Sequence, residues 1–515
     1  MKNKYIYLII FSLFILITIL VNPWGNFPLN DDWTHTWAIA HYLETNNFIY
    51  PSWLSSHLHL PIIYGIVLSK IFGFSFTLLR FSNIFFSFLT LIIFFQICQE
   101  FKIKKVLSFF LTLVLFFNPL FFNLTYTFMG DIPALFFLLL AIYFFLLGFR
   151  KNNDKFILGG SLLAVLGFFI RQTNILLLPA VLIYYLFKNK FNFKKIFILF
   201  IFPFLLLLFI YYLLIINNLL PGQVGARFLG EGLSYFNHFF SNFYYFIFLL
   251  AFFLLPLSLS LFFKNLYILK DYRFIISFLI LFFFSFDYLF LDLGNIISLS
   301  GLGPSNLVLQ GKIDFNNLII YRIINSIIIF TIPLFFILRK RIKIHFIYLF
   351  SFFYLLLILP ILSFDRYLLI ILPIVLIYIA LLLEKYNYSK FVFIFITILF
   401  AIYSTLATYN YLEWQSIRWS LADSLLEQGI KVEDIEGGYE MNGWYLYNKD
   451  LGHENTPFWA PWYVRDIVPG HQMKYIISFS PLGGYEVIEK RKTNTIFSNI
   501  DYLYLNEVRP HSLEE

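Results

Sequence analysis

Apolar residues recur along this chain in blocks of about 17–22, the length at which a helix crosses a hydrocarbon core of roughly 30 Å. The blocks do not alternate with a period of two, which argues against a transmembrane β-barrel. Because every backbone polar group in lipid needs an internal partner, the pattern predicts a polytopic α-helical membrane protein. Thirteen spans are predicted, near residues 5–21, 81–98, 106–122, 132–149, 156–171, 174–187, 196–217, 243–263, 274–293, 318–338, 344–364, 367–384 and 391–409.

The composition agrees with a membrane protein. Of the 515 residues, 60% are hydrophobic and 13% are charged, whereas a soluble domain has about 25% charged residues. Cys98 is the one cysteine, which excludes an intramolecular disulfide and a cysteine-cluster metal site. The block 5–21 lacks a small-residue cleavage site and is followed by Asn22-Pro23-Trp24, so we predict a retained first span and not a signal peptide.

Basic residues predict the orientation of the spans. With the N-terminus in the cytoplasm, the cytoplasmic ends and connections contain 21 Lys and Arg residues, and the longer outer connections contain seven before the C-terminal tail. This asymmetry follows the positive-inside rule. The net charge of +8 therefore reflects orientation in a cell or inner membrane, and no nucleic-acid partner is expected.

Two segments interrupt the regular pattern of spans. Residues 61–73 are apolar but too short to cross, so we predict an interfacial or re-entrant helix within a first outer loop at 22–80. Residues 156–187 would measure roughly 48 Å as one helix, and both flanks are basic, so two spans meeting at Arg171 are predicted. Two further outer segments are long, at 218–242 and 294–317.

The chain divides into a membrane domain at 1–411 and an extracytoplasmic α/β domain at 412–515. The second begins with an amphipathic pattern at Trp414, Ile417, Leu421 and Leu425, which predicts a helix that stops at Gly429. Strand-like runs follow at 475–480 and 485–488.

Two acidic sites on the predicted outer face are candidates for catalysis. In Asn30-Asp31-Asp32-Trp33, adjacent carboxylates separate in pKa and suit one of them to act as a base; the alternative is a solvated turn or a helix N-cap. Asp131 in Gly130-Asp131-Ile132-Pro133 opens span four, where an ordinary capping arrangement is the alternative. Their shared membrane face makes the two sites interesting together.

Basic and aromatic residues lie on the same predicted face. Arg171 lies between spans five and six, and Asp365-Arg366-Tyr367 opens span twelve. Arginine at this interface can bind a lipid phosphate, although interfacial anchoring and ion pairing are equally ordinary roles. His57 and His59 lack an obvious third metal ligand, and Asp287 and Asp292 are expected to have a basic partner.

The order of these motifs resembles the GT-C superfamily of glycosyltransferases, and within it the glycosyltransferase family 39 and Rgt-like group. That group includes protein O-mannosyltransferases and the lipid A aminoarabinose transferase. The similar stretches are Asp31-Asp32, His59-Leu60-Pro61, Gly73 with Arg80, Gly130-Asp131, Arg171-Gln172-Thr173-Asn174 and Arg366-Tyr367. Many members have Asp-Glu at the first and His-Pro-Pro at the second, so which acid is the base stays open.

The resemblance implies a GT-C-like bundle and a hexosyl- or pentosyltransferase that uses a polyprenyl-phosphate sugar. The acceptor would be a glycolipid, a glycan or a protein. Asp31 or Asp32 would be the base, and Asp131 would orient the acceptor or help to position Asp31. Arg366 with Tyr367, joined by Arg171 or His59, would stabilise the donor phosphate. No cofactor is expected, and a divalent metal is the alternative, because superfamily members differ in this respect.

Three other functions stay open at this point. A lipid-sugar flippase predicts charged or broken helices near the midplane, but the charged residues here cluster at the outer interface. A polysaccharide polymerase or ligase would not need Asp31 and Asp131 together, so their presence in one cavity would distinguish it from the transferase. A non-catalytic assembly protein is the third.

Overall fold

The computed structural model describes residues 3–54, 58–220, 239–285, 295–298, 300–313, 318–337, 345–361, 364–449, 451, 460–496 and 498–508. These residues are mostly helical, with a two-stranded antiparallel sheet at Ile297–Ser298 and Gly301–Leu302 and a four-stranded sheet near the C-terminal end. The α-helices are Asn3–Val21, Asp32–Thr45, His59–Phe72, Phe76–Glu100, Lys105–Phe116, Pro119–Thr125, Asp131–Lys151, Asp154–Phe168, Leu177–Lys188, Phe193–Ile196, Phe202–Ile216, Phe239–Phe253, Leu255–Phe262, Tyr272–Ser285, Leu318–Ile337, Phe346–Ile358, Leu372–Leu383, Lys390–Glu427, Tyr439–Leu446 and Trp462–Ile467.

Several apolar helices confirm the integral membrane class, but the count of thirteen spans is not confirmed. Among the described residues, five helices are long and apolar enough to cross a membrane, or seven if each of two bent pairs counts as one span. One pair, Lys105–Phe116 and Pro119–Thr125, bends by 65° where the Asn118 side chain caps the second helix. The other, Ser241–Phe253 and Leu255–Phe262, bends by 73° beside Pro256. Hydropathy alone does not register these breaks.

The predicted break between spans five and six is present. The helix Asp154–Phe168 ends before Arg171, whose backbone is extended, and a 3-10 turn at Gln172–Leu176 leads into Leu177–Lys188. The short apolar segment predicted at 61–73 is likewise a helix, His59–Phe72. The described part of the segment predicted as the first outer loop holds a second helix at Asp32–Thr45.

One helix joins the apolar bundle to the C-terminal sheet. Lys390–Glu427 has 38 residues, or roughly 57 Å, against a hydrocarbon core of roughly 30 Å. Its first half exposes apolar side chains such as Phe391, whereas Trp414, Leu421 and Leu425 are buried, as the amphipathic pattern predicted. The boundary predicted at 411/412 falls inside this helix, and the division into two domains stays a prediction.

The C-terminal sheet has four strands, in the order Ile435–Glu436, Tyr475–Ser478, Tyr502–Val508 and Tyr485–Lys492. The first pair is parallel and the others are antiparallel. The two strand-like runs predicted from the sequence form the second and fourth strands in this order. The last strand in the chain packs on the long helix, and Asn410 exchanges two hydrogen bonds with the backbone of Ile496.

Arg80 fixes the segment that leads to the first acidic site. Its guanidinium is 1% exposed and donates to the carbonyl oxygens of Pro23 at 2.6 Å and Phe27 at 2.9 Å, while it lies over the Phe27 ring. Buried carbonyls need partners, so this one side chain determines the path of the chain between the first helix and Asp31.

We expect Arg80→Ala to lower the free energy of unfolding by about 3 kcal/mol, because it leaves buried carbonyls without a charged donor. The melting temperature of the detergent-solubilised protein measures this. The control is Lys449→Ala, whose side chain is 44% exposed in its pair with Glu433, itself 38% exposed, and whose loss should have little effect. Equal melting temperatures for the two variants would contradict the role of Arg80.

Candidate active site

A cavity of about 340 Å³ is formed where the first loop, the helix starting at Asp131 and the C-terminal part of the chain meet. Five of the seven predicted site residues line it, namely Asp31, Asp131, Arg171, Arg366 and Tyr367. The cavity also includes His35 and Tyr439, which the sequence did not single out.

Asp31 is held by two side chains that lie far away in sequence. Its Oδ2 accepts a hydrogen bond from Nη2 of Arg366 at 2.8 Å, and its Oδ1 accepts one from the Tyr439 hydroxyl at 2.7 Å. Burial raises the pKa of Asp31, but the charge of Arg366 and these hydrogen bonds outweigh it and hold the pKa below its usual range. Asp31 makes no side-chain cap to the helix it precedes, so the capping alternative does not apply.

Asp131 forms the second acidic point of the cavity. It is the first residue of its helix, and its Oδ1 accepts a hydrogen bond from Nη2 of Arg171. Its side chain is 3% exposed, and Oδ2 has no hydrogen-bond partner among the described residues. The Arg171 guanidinium in turn lies 5.1 Å from the centre of the Tyr367 ring. Asp131 therefore has one oxygen committed to an ion pair and one free to accept.

Arg366 lies between the two carboxylates. Burial lowers its pKa, but Asp31 and then Asp131 outweigh that effect and raise it, so the guanidinium stays charged. Its Nε and Nη1 have no hydrogen-bond partner among the residues that the structure describes. Both nitrogens are buried, so this residue of the cavity wall has two donors that the described residues leave unused.

Asp365 secures the turn that carries Arg366. Its carboxylate accepts hydrogen bonds from the backbone N–H groups of Ile297 at 2.7 Å and Arg366 at 2.7 Å. Asn295 lies two residues before Ile297, and its side-chain oxygen accepts a hydrogen bond from the Asn30 side-chain amide at 2.5 Å. Asp365 is therefore a structural anchor that ties the arginine turn to the segment before Asp31.

The structure places Asp32 and His59 away from the cavity. Asp32 is 2% exposed, and its oxygens accept from the backbone N–H groups of Leu29 at 2.5 Å and Phe128 at 3.1 Å. Burial raises its pKa to about 8 despite these donors. His59 packs on the Tyr50 ring, and its Nε2 lies 2.8 Å from the Leu219 carbonyl oxygen. His57, Asp287 and Asp292 lie outside the described residues.

Two cavity residues were missed by sequence reasoning for different reasons. His35 stands four positions after Asp31 on the predicted helix, so helical spacing could have found it. Burial lowers its pKa to about 4, which keeps the imidazole neutral. Tyr439 is 408 positions from Asp31, and no local pattern in the sequence connects them.

The sequence left a divalent metal as the alternative to a cofactor-free site. Within the described ranges, no group of three or more His, Cys, Asp or Glu side chains could hold a metal ion. The expectation of a cofactor-free site therefore stays a prediction.

Residues 62–215 match the family described as dolichyl-phosphate-mannose-protein mannosyltransferase. This match confirms the resemblance to GT-C superfamily glycosyltransferases that the motifs indicated. Two solved structures are similar to the chain: ArnT from Cupriavidus metallidurans in the apo state (12% identity, 81% of this chain and 72% of that chain, TM-score 0.43) and the same protein bound to undecaprenyl phosphate (11% identity, 84% and 74%, TM-score 0.45). No curated protein matches this chain.

We expect Asp32→Asn to destabilise the protein by about 1–3 kcal/mol, because an amide has one acceptor oxygen for two backbone donors. Since the folded-state pKa is raised from 3.8 to about 8, Asp32 also makes the wild type less stable as pH rises through that interval. The melting temperature of Asp32→Asn should therefore change less with pH than that of the wild type. Asp466→Asn, at an exposed position on the cavity wall, is the control; matching pH profiles for all three proteins would contradict the argument.

Proposed function

We propose that this chain, which resembles GT-C glycosyltransferases, transfers a sugar from a polyprenyl-phosphate donor to the hydroxyl of an extracytoplasmic acceptor. The observation that carries the proposal is the single cavity that brings together two carboxylate–guanidinium pairs, Asp31 with Arg366 and Asp131 with Arg171. The sugar is a hexose or a pentose, and the acceptor is a glycolipid, a glycan or a protein. The Lys and Arg residues concentrate in the connections that share a side with the N-terminus. By the positive-inside rule, this supports a location in the cell membrane with the N-terminus in the cytoplasm.

Asp31 is the proposed general base. Its side chain is 29% exposed and its pKa is held low, so it is ionised at neutral pH and faces the cavity. It accepts the proton of the acceptor hydroxyl while that oxygen attacks the anomeric carbon. Because a carboxylate with a low pKa is a weak base, proton transfer accompanies formation of the C–O bond and does not precede it. Direct displacement inverts the anomeric centre.

The donor phosphate is the leaving group, and it departs with the electron pair of the broken C–O bond. Arg366 offers Nε and Nη1 to the phosphate oxygens while Nη2 keeps its bond to Asp31. Arg171 adds a second positive charge, fixed in place by Asp131 and Tyr367. Oriented donors at developing charge are a large catalytic contribution, and guanidinium suits phosphate because it can bind two oxygens at once.

Asp131 orients the acceptor. Its unpartnered Oδ2 can accept a hydrogen bond from a second hydroxyl of the acceptor while Oδ1 holds Arg171. This arrangement uses both carboxylates, which a polysaccharide polymerase or ligase would not need. The presence of both in one cavity therefore supports transfer over that alternative.

We expect Asp31→Asn and Asp131→Asn each to lower kcat/KM about a hundred- to a thousandfold, because each removes a charge that acts at the reacting centre. The sugar is identified first, by comparing the masses of envelope glycans from cells that have the protein and cells that lack it. Transfer of that sugar, labelled on undecaprenyl phosphate, by the purified chain in lipid nanodiscs measures the rates. Asp271→Asn, in the exposed Asp271–Arg273 pair, is the matched control. Wild-type rates in both cavity variants would end the proposal.

We expect EDTA to leave the transfer rate within about twofold of its untreated value, because arginine side chains and not a metal neutralise the phosphate. The same labelled donor measures this, with added Mg²⁺ or Mn²⁺ as the restoring arm. A loss of activity that either ion restores would show that the site needs a divalent metal.

A further inference from the structure

The C-terminal part of the chain contacts Asp31 and Asn30 through one short segment, Gly437–Gly443. Sequence patterns gave this segment no function. In the structure it lies against the first outer loop, and two consecutive side chains, Tyr439 and Glu440, make hydrogen bonds to Asp31 and Asn30. The proposed base, Asp31, is thus hydrogen-bonded by a segment that does not belong to the apolar bundle.

Glu440 controls the backbone from which Asp31 projects. Its Oε1 accepts a hydrogen bond from the Asn30 backbone N–H at 2.9 Å, and its Oε2 accepts one from Arg418 at 2.8 Å. The Glu440 and Arg418 side chains are 0% and 1% exposed. Asn30 has a positive φ of 54°, a conformation that non-glycine residues adopt seldom. A buried ion pair therefore fixes an uncommon turn immediately before Asp31.

The segment itself has little freedom to move. The Tyr439 N–H donates to the Val308 carbonyl oxygen at 2.9 Å, and Gly438 has a φ of 97°. A Cβ at Gly438 would come within 2.5 Å of that same carbonyl oxygen, and a Cβ at Gly443 would come within 2.4 Å of the Trp33 ring. Close backbone packing on both sides thus determines where the Tyr439 ring lies.

The Tyr439 hydroxyl stands in a directional chain of hydrogen bonds. Trp53 Nε1 donates to this oxygen at 3.2 Å, and the hydroxyl donates to Asp31 at 2.7 Å. Indole N–H can only donate, so it leaves the phenolic proton to point at the carboxylate. Burial, and then the charge of Asp31, raise the pKa of Tyr439 well above its usual range, so the phenol keeps its proton.

We propose that Tyr439 is a positioning residue for Asp31, holding one carboxylate oxygen so that the carboxylate presents its remaining lone pairs to the acceptor hydroxyl. The inference rests on the proposed function, since it assigns Tyr439 a role only if Asp31 is the base. Arg366 holds one oxygen and Tyr439 the other, so rotation of the carboxylate is blocked at both ends. The C-terminal segment is then a necessary part of the active site.

The charged and titratable groups around Asp31 determine how the pH–rate profile should change when the Tyr439 hydroxyl is removed. Arg366 and Tyr439 contact it, His35 lies on its own helix, and Asp131 faces it from beyond Arg366. Removal of the Tyr439 hydroxyl deletes one hydrogen bond that favours the ionised carboxylate. The acidic limb of the pH–rate profile should therefore move to higher pH.

Tyr439→Phe is the test, measured on the full chain in nanodiscs with the labelled undecaprenyl-phosphate sugar as probe. We expect kcat to fall about ten- to a hundredfold, because a hydrogen bond to a charged group is lost, while KM for the donor changes little. Trp53→Phe, which removes the donor to Tyr439 together with part of the ring stacked on Trp462, should give a loss of about two- to fivefold with a smaller shift of the acidic limb in the same direction.

Tyr463→Phe is the matched control. Its hydroxyl is also buried in the C-terminal part and also donates to a carboxylate, Glu436 at 3.0 Å, but it does not contact Asp31. Wild-type kcat and an unmoved acidic limb in Tyr439→Phe would overturn the proposal, as would equal losses in both tyrosine variants accompanied by equal losses of melting temperature. If the wild type itself transfers no sugar, the proposed function fails and this inference falls with it.

Discussion

The ion pair between Asp31 and Arg366 is the interaction on which the cavity depends. The two residues are 335 positions apart, and each comes from a short polar turn next to an apolar helix. Burial opposes the charge on both groups, so neither would persist alone in this setting. Asp131 and Arg171 repeat the arrangement beside them, while Tyr439 donates a hydrogen bond to Asp31 and Asp365 accepts one from the Arg366 backbone. The result is a polar cluster whose members stabilise one another.

Adjacent residues at the start of one helix have different surroundings. Asp31 faces the cavity, and its partners are side chains; Asp32 points into the protein, and its partners are backbone N–H groups of Leu29 and Phe128. Their pKa values move in opposite directions for this reason. The sequence could not show which of the two acids would face the cavity. Asp31 and Asp32 are the same residue type at adjacent positions, directly after Asn30 with its positive φ.

Sequence reasoning found Asp31, Asp131, Arg171 and Arg366 because charged residues near apolar spans are costly and therefore informative. It missed Tyr439 and Glu440 because they lie in a polar tail, where tyrosine and glutamate are ordinary. It also predicted thirteen spans, a count that is not confirmed, and a hydropathy window does not register the changes of direction at Asn118-Pro119 and Pro256. The break at Arg171 was predictable from the length of segment 156–187 and its basic flanks. The helix at His59–Phe72 was predictable from the length of its apolar segment.

The helix Lys390–Glu427 has a mechanical consequence. It begins in the apolar bundle and carries Arg418, the partner of Glu440, near its far end. A rod of roughly 57 Å moves its tip by roughly 5 Å when it leans by about 5°, and helices lean to suit the thickness of the surrounding lipid. Lipids of different chain length would therefore act, through Arg418 and Glu440, on the backbone that precedes Asp31, so that bilayer thickness becomes a physical input to the geometry of the cavity.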